Sequence, residues 1–164
     1  MNIHWFLPTD GDGHYLGTDY LSREGNISYY KQIAQALDRL GYEGMLVPTG
    51  MTCEDPWVVA SALTQATERL KFLIALRPSV VSPTVSARMA SAFQRLSNGR
   101  LLLNVVSGGD SKQLAADGVY LNKEERYEAT DEYLTVFKKL MAGEKVTYQG
   151  KHVQVTDAEI LFPS

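Results

Sequence analysis

Four short apolar runs, at residues 3–7, 45–47, 72–76 and 101–106, alternate along the chain with segments of helical period. No other feature limits the fold as much. Runs of this length with little internal alternation are expected of strands buried on both faces of a parallel sheet. Between them, Tyr29, Ile33, Ala36, Leu37 and Leu40 trace one face of a helix, with Gly41 where a C-cap belongs. Trp57, Ala60, Ser61, Leu63 and Thr64 trace a second, opened by Asp55-Pro56. Val85, Met89, Ala92, Phe93 and Leu96 trace a third, preceded by Ser82-Pro83 and closed near Asn98-Gly99. Tyr127, Thr130, Leu134, Phe137, Leu140 and Met141 trace a fourth, with Lys138 and Lys139 set to complement the dipole of its last turn.

The order β-α-β-α-β-α-β-α implies right-handed crossovers and a parallel sheet. After Gly143, Val146, Tyr148, Val153 and Val155 around Gln149-Gly150 read as a β-hairpin. Strand starts near 3, 45, 72 and 101 are separated by 42, 27 and 29 residues. A (β/α)8 barrel of about 250 residues averages roughly 31 per unit. The expected fold is therefore α/β, a partial (β/α)8 TIM barrel of about four βα units plus a terminal hairpin. Residues 1–164 are expected to be one domain, the amino-terminal half of such a barrel, and the ending reads as truncated. An unpaired fourth strand would need covering, by a dimer partner or by the hairpin.

Charge narrows the function classes. Sixteen basic against 19 acidic side chains give a net charge of -3, which argues against binding nucleic acid or an anionic membrane by bulk charge. No stretch approaches the roughly 18 unbroken apolar residues of a membrane span, and the first residues lack the pattern of a secretory signal. One cysteine, Cys53, excludes an internal disulfide and suits a reducing compartment, so a cytoplasmic location is expected.

In parallel α/β folds ligands gather at the carboxyl ends of the strands. After the first strand, Asp10, Asp12 and His14 alternate in a Gly-rich loop, a pattern of turns and caps more than of a metal site. Its glycines miss G-x-G-x-x-G because Gly17 comes one residue late. After the second, Cys53 precedes a helix start, where the dipole favours a thiolate while Glu54 and Asp55 oppose it. After the third comes Arg77, a candidate anion ligand or salt-bridge partner. Asn104 lies inside the fourth apolar run and needs hydrogen-bond partners, either a ligand or a structural network. The pair Arg126-Tyr127 is read as opening the fourth helix. Amides, guanidinium and phenol there would suit a phosphate, or else Tyr127 packs beneath a surface arginine. Asn26-Ile27-Ser28 matches a glycosylation triplet with no other sign of secretion. His4 and His152 fall in expected strands without an evident partner.

These loops together resemble one family. Trp5-Phe6-Leu7-Pro8-Thr9 with Gly11-Asp12-Gly13-His14-Tyr15-Leu16-Gly17 is similar to the opening of flavin-dependent alkanesulfonate monooxygenases of the bacterial-luciferase-like group. Pro48-Thr49-Gly50 with Cys53-Glu54-Asp55, and Phe72 to Ser79, continue the likeness. So do Arg95-Leu96-Ser97-Asn98-Gly99-Arg100, Asn104, Gly108, Glu125 to Ala129, Gly150-Lys151-His152 and Leu161-Phe162-Pro163, in order.

The resemblance implies a TIM barrel and two-component chemistry. A separate NAD(P)H-dependent flavin reductase would supply reduced FMN. The monooxygenase would use it with O2 to break the carbon–sulfur bond of an alkanesulfonate, giving an aldehyde and sulfite. The flavin supplies the redox chemistry, and the protein supplies positioning and exclusion of water. Carried over by position, Cys53 matches the active-site cysteine, Asn104 a strand-four flavin contact, and Arg126 and Tyr127 a pair near the flavin phosphate. Ala75, with Leu76, matches a non-proline cis peptide beneath the isoalloxazine, and Thr49 and Gln113 are further flavin-pocket candidates. No metal is implied, and a homo-oligomer is expected. Two departures stand out: Asp10 replaces a histidine common in the family, and the chain is less than half the family's length. The alternative is a half-barrel that binds flavin or a partner without catalysis.

Overall fold

The computed structural model of the protein describes residues 1–15, 18 and 20–162. Leu16, Gly17 and Pro163, each part of a motif named above, lie outside the described residues. The four apolar runs become β1 (His4–Phe6), β2 (Gly44–Val47), β3 (Lys71–Leu76) and β4 (Leu101–Val105). They form one sheet in the order β1-β2-β3-β4. Trp5 pairs with Met45 and Leu46 with Leu73 in parallel register. Between and after the strands run α1 (Ile27–Leu40), α2 (Pro56–Leu63), α3 (Pro83–Leu96), α4 (Ser111–Ala116) and α5 (Lys123–Met141). The antiparallel pair β5 (Val146–Gln149) and β6 (Gln154–Ala158) follows. The architecture is the expected one, a partial TIM barrel of four βα units with an added hairpin. Among the described residues no helix is long and apolar enough to cross a membrane.

Local chemistry sets the helix ends. Asp55 accepts hydrogen bonds from the Trp57 and Val58 amides, and Pro56 takes the first helical position of α2. Ser82 with Pro83 does the same for α3. Asn26, the supposed glycosylation asparagine, caps α1 by accepting from the Tyr29 amide. Gly41 ends α1 at φ 80°, a left-handed conformation that a side chain would resist.

The chain divides into two compact units. The first comprises Met1–Ala75 and Arg100–Asn104, holding α1, α2 and nearly all of the sheet. Its interior is Leu7, Ala34, Leu37, Met45, Val47, Leu63, Leu70, Phe72 and Ile74, all buried. Full burial of each large side chain contributes roughly 1.5–3 kcal/mol. The second comprises Leu76–Gly99 and Val105–Ser164, where α3 packs along α5 and β5 lies against α5. Ala87, Ala90 and Phe93 of α3, and Tyr133, Val136, Phe137 and Leu140 of α5, are buried there.

Several expectations need correction. β1 is exposed along its length and β4 is only half-buried, because each is an edge of the four-stranded sheet. Burial on both faces describes β2 and β3. α4 was not expected, being too short to show a helical period. Thr64 begins a 3-10 turn, Thr64–Ala66, instead of ending α2. Val106 falls beyond β4, and Val153 and His152 belong to the hairpin loop and not to a strand. Finally, α5 begins at Lys123, three residues before Arg126.

Candidate functional site

In the first unit, parallel pairing brings the ends of neighbouring strands to one side. Val47 pairs with Ile74, so Ala75 lies one step further along β3, at the end of the sheet where Thr49 follows β2. Asn104 is the last residue but one of β4. Ala75 is 3% exposed, whereas Thr49 and Asn104 are half-buried. A small buried residue beside two part-exposed polar ones offers a flat floor with hydrogen-bonding groups at its margin. No cis peptide occurs among the described residues, so the Ala75–Leu76 bond is trans. The cis form implied by the resemblance is not found there.

Cys53 sits in the loop after β2 with a free, half-buried thiol, its amide bonded to the Gly50 carbonyl. The first amides of α2 are already taken by the Asp55 carboxylate. The Tyr30 phenol donates to the Thr9 carbonyl across 2.7 Å, tying α1 to the loop after β1. Burial pushes its pKa up, and the charges of Glu54, Asp10 and Cys53 push it further. Asp10 and Glu54 bring negative charge to the neighbourhood of Tyr30.

Of the alternating Asp12 and His14, Asp12 is engaged by neighbouring side chains. The Asp12 carboxylate accepts from Arg23 Nε at 2.9 Å and Nη2 at 2.7 Å, and from the Tyr29 hydroxyl at 2.7 Å. Arg23, then Tyr29, hold its pKa below the usual carboxylate range. Tyr29 is pushed up to about 12, by burial and then by Asp12. This network, with the Asp12–Arg23 backbone bridge, folds the loop back on itself. Among the described residues no group of His, Cys, Asp and Glu is arranged to hold a metal. His4 lies in β1, close under Gly44.

In the second unit, Gln113 is half-buried in α4. Arg126 does not open α5. Asn122 caps the helix and forms a reciprocal capping box with Glu125, and the Arg126 amide bonds the Asn122 carbonyl. Free amides are thus not available at 126–127, and Glu124 and Glu125 already complement the dipole of the first turn. The Arg126 guanidinium donates to the Leu121 carbonyl at 3.0 Å and reaches the Gly108 carbonyl at 3.5 Å. Its Nε is buried without a partner, an orphaned donor that suits an acceptor on a ligand. Tyr127 is 59% exposed and does not pack beneath the arginine. Arg77 forms an ion pair with Asp117, which settles it as a salt-bridge partner.

His152 has a partner that no sequence spacing suggested. Its ring Nε2 lies 3.1 Å from Glu128, which also accepts from Lys151 Nζ at 2.8 Å. Lys151, then His152, draw the Glu128 pKa down. One turn along α5, Glu132 accepts the amides of Lys151, His152 and Val153, each at 2.8 Å. Burial raises the Glu132 pKa, but the three amides lower it further. A Cβ on Gly150 would stand 2.4 Å from Glu132 Oε2, so a larger residue there must displace the carboxylate from its amides. The signal was an i, i+4 carboxylate pair on α5, readable as charge but not as a hairpin anchor.

The sequence model of a family described as luciferase-like monooxygenase matches residues 1–164. Among solved structures, the EDTA monooxygenase from Chelativorans sp. BNC1 superposes with a TM-score of 0.81 at 19% identity, covering 94% of this chain and 44% of that one. A riboflavin lyase solved with modified FMN and riboflavin gives 0.86 at 18%, covering 99% and 47%. A long-chain alkane monooxygenase gives 0.85 at 20%, covering 99% and 49%. At such identities the likeness speaks for the fold. The chain spans about half the length of the structures it matches.

Proposed function

We propose that this chain, which belongs to the luciferase-like monooxygenase family, serves a two-component monooxygenase acting on alkanesulfonates. Reduced FMN would come from a separate NAD(P)H-dependent reductase. When bound, it supplies two electrons that place one atom of O2 in the aldehyde product and the other in water, with sulfite released. The family match along the whole chain carries this reading. The residues are compatible with it: Thr49, Ala75 and Asn104 share the carboxyl end of adjacent strands, and Arg126 keeps a buried, unpaired Nε.

In this reading Asn104 hydrogen-bonds the flavin ring, Ala75 gives it a floor, and Thr49 and Gln113 contact its margin. Arg126 and Tyr127 serve its phosphate through side chains alone, because the helix amides there are occupied. Cys53 is the proposed active-site cysteine. Printed names of matched structures include an EDTA monooxygenase and a long-chain alkane monooxygenase, so the fold accommodates unrelated substrates. The preference for a sulfonate rests on the motif resemblance, against which the Asp10 carboxylate weighs. A second reading is capture of flavin or a partner without turnover.

Anaerobic titration of the 164-residue chain with reduced FMN tests the first step. Saturable binding is expected, weakened about tenfold by Asn104→Ala, the loss of one ligand hydrogen bond to a buried acceptor. A folded chain that does not bind reduced FMN overturns the reading. Binding followed by sulfite release from an alkanesulfonate series supports the sulfonatase activity, and binding without oxygen consumption supports the second reading.

A further inference from the structure

The loop after β3, residues 78–83, and the hairpin residues 151–155 line a cavity of about 470 Å³, completed by Leu121 and Ala129. That volume lies within the roughly 300–1,000 Å³ of small-molecule sites. Every wall belongs to the second unit, and none is a residue proposed above for flavin. Pro78, Val80, Leu121 and Val155 make much of the surface apolar. Two polar groups interrupt it. Ser79 Oγ is buried with no hydrogen-bond partner, where such a group is normally paired. His152, its side chain 10% exposed, turns Nε2 to Glu128. An ionised carboxylate only accepts, so the ring proton sits on Nε2 and Nδ1 is left as an acceptor that no described residue engages. Charge is balanced within the walls: Lys151 Nζ pairs with Glu128, and Glu132 is saturated by the three hairpin amides. Those amide bonds also fix the hairpin wall in place before any ligand arrives.

We propose that this cavity binds a small neutral molecule, a hydroxyl group on a branched apolar body, with the hydroxyl donating to His152 Nδ1 and accepting from Ser79 Oγ. The unpaired groups set this choice. Nδ1 needs a donor and the Ser79 hydroxyl can give or take, so a ligand hydroxyl serves both. A carboxylate brings no donor for Nδ1 and would lie near Glu128. An ammonium finds no carboxylate that is not already engaged. Either ion would lose hydration in a cavity with no opposite charge to spare. The apolar walls take the body of the ligand, and burial of that body supplies most of the affinity.

Amide NMR titration of the full chain, without flavin, tests this with three probes of one carbon skeleton: isopentyl alcohol, isovalerate and isopentylamine. The alcohol is expected to shift the amides of residues 79–82 and 151–155 saturably, and to bind about tenfold more tightly than either ion. Ser79→Ala should weaken the alcohol about fivefold, the loss of one hydrogen bond. Val80→Phe, at a wall position 43% exposed, should abolish binding by filling the cavity while the rest of the amide spectrum stays unchanged. Three results would overturn the proposal. They are a folded chain whose amides at these positions do not respond, which leaves a cavity holding water alone, equal or tighter binding of either ion, and a Ser79→Ala variant that binds like the parent. Because no flavin is present, each result is independent of the reduced-FMN titration.

Discussion

Arg100 buries its guanidinium between Thr67 Oγ1 and the Thr64 carbonyl, each at 2.8 Å, with the Phe72 ring 5.6 Å away. Burial lowers its pKa, yet as an arginine it remains charged and must keep its acceptors. Arg100→Ala would take this donor from the Thr64 carbonyl and the Thr67 hydroxyl in the interior, and a loss of about 3 kcal/mol is expected in urea unfolding. Tyr29 makes a second residue-level prediction. Its pKa of about 12 exceeds the ordinary 10.0, so the folded state disfavours the phenolate. The stability that follows is complete below pH 10 and fades as pH rises toward 12. Absorbance titration should show late tyrosine ionisation that Tyr29→Phe reduces. Asp12 has the opposite sign, contributing above its ordinary 3.8 and fading as pH falls. None of this was legible from the sequence. Asp12, Arg23 and Tyr29 are 11 and 17 residues apart, and only the folded loop makes Asp12 an acceptor instead of a candidate ligand.

Elements were the most readable level, because strands and caps are written locally. Asp55-Pro56 and Ser82-Pro83 open helices, and Gly41 closes one, where the sequence places them, and the four apolar runs became strands in order. The start of α5 was misplaced although its signal was present. Asn122 and Glu125 make a capping box, but the apolar period begins only at Tyr127. The hairpin was found and its anchorage was not, since Glu132 meets the amides of 151–153 across about twenty residues. Asp38 does the same for the amides of Glu68, Arg69 and Leu70 ahead of β3. Glu132→Ala should therefore speed amide exchange at 151–153 while sparing α5. Lowering pH should likewise reduce the protection of these amides relative to their intrinsic exchange: with a folded pKa below the ordinary 4.5, the carboxylate holds the loop above that pH and releases it as pH falls through the lower value. Protection at 151–153 that persists once the carboxyl is protonated would count against the anchor.

At the scale of the whole molecule, the chain passes between the two compact units at Ala75–Leu76, at Gly99–Arg100 and at Asn104–Val105. The first and last of these crossings fall inside strands, β3 and β4, and the middle one in the short turn ahead of β4. Unfolding either unit must disturb a strand that the other uses, so one cooperative transition is expected. The two tryptophans, Trp5 and Trp57, both belong to the first unit, whereas α3 and α5 in the second dominate the helical signal. Coincident thermal curves by fluorescence and far-ultraviolet circular dichroism would bear this out, and separated midpoints would contradict it. The spacing of strand starts anticipated the βα rhythm but not this division, which depends on how the chain threads the sheet. That threading also decides where the polypeptide can be split for fragment complementation. A nick at the first or the last crossing severs β3 or β4 and leaves two pieces with torn edges. A nick at residues 118–122, between α4 and α5, cuts no helix or strand, and each fragment carries its elements whole into the reassembly.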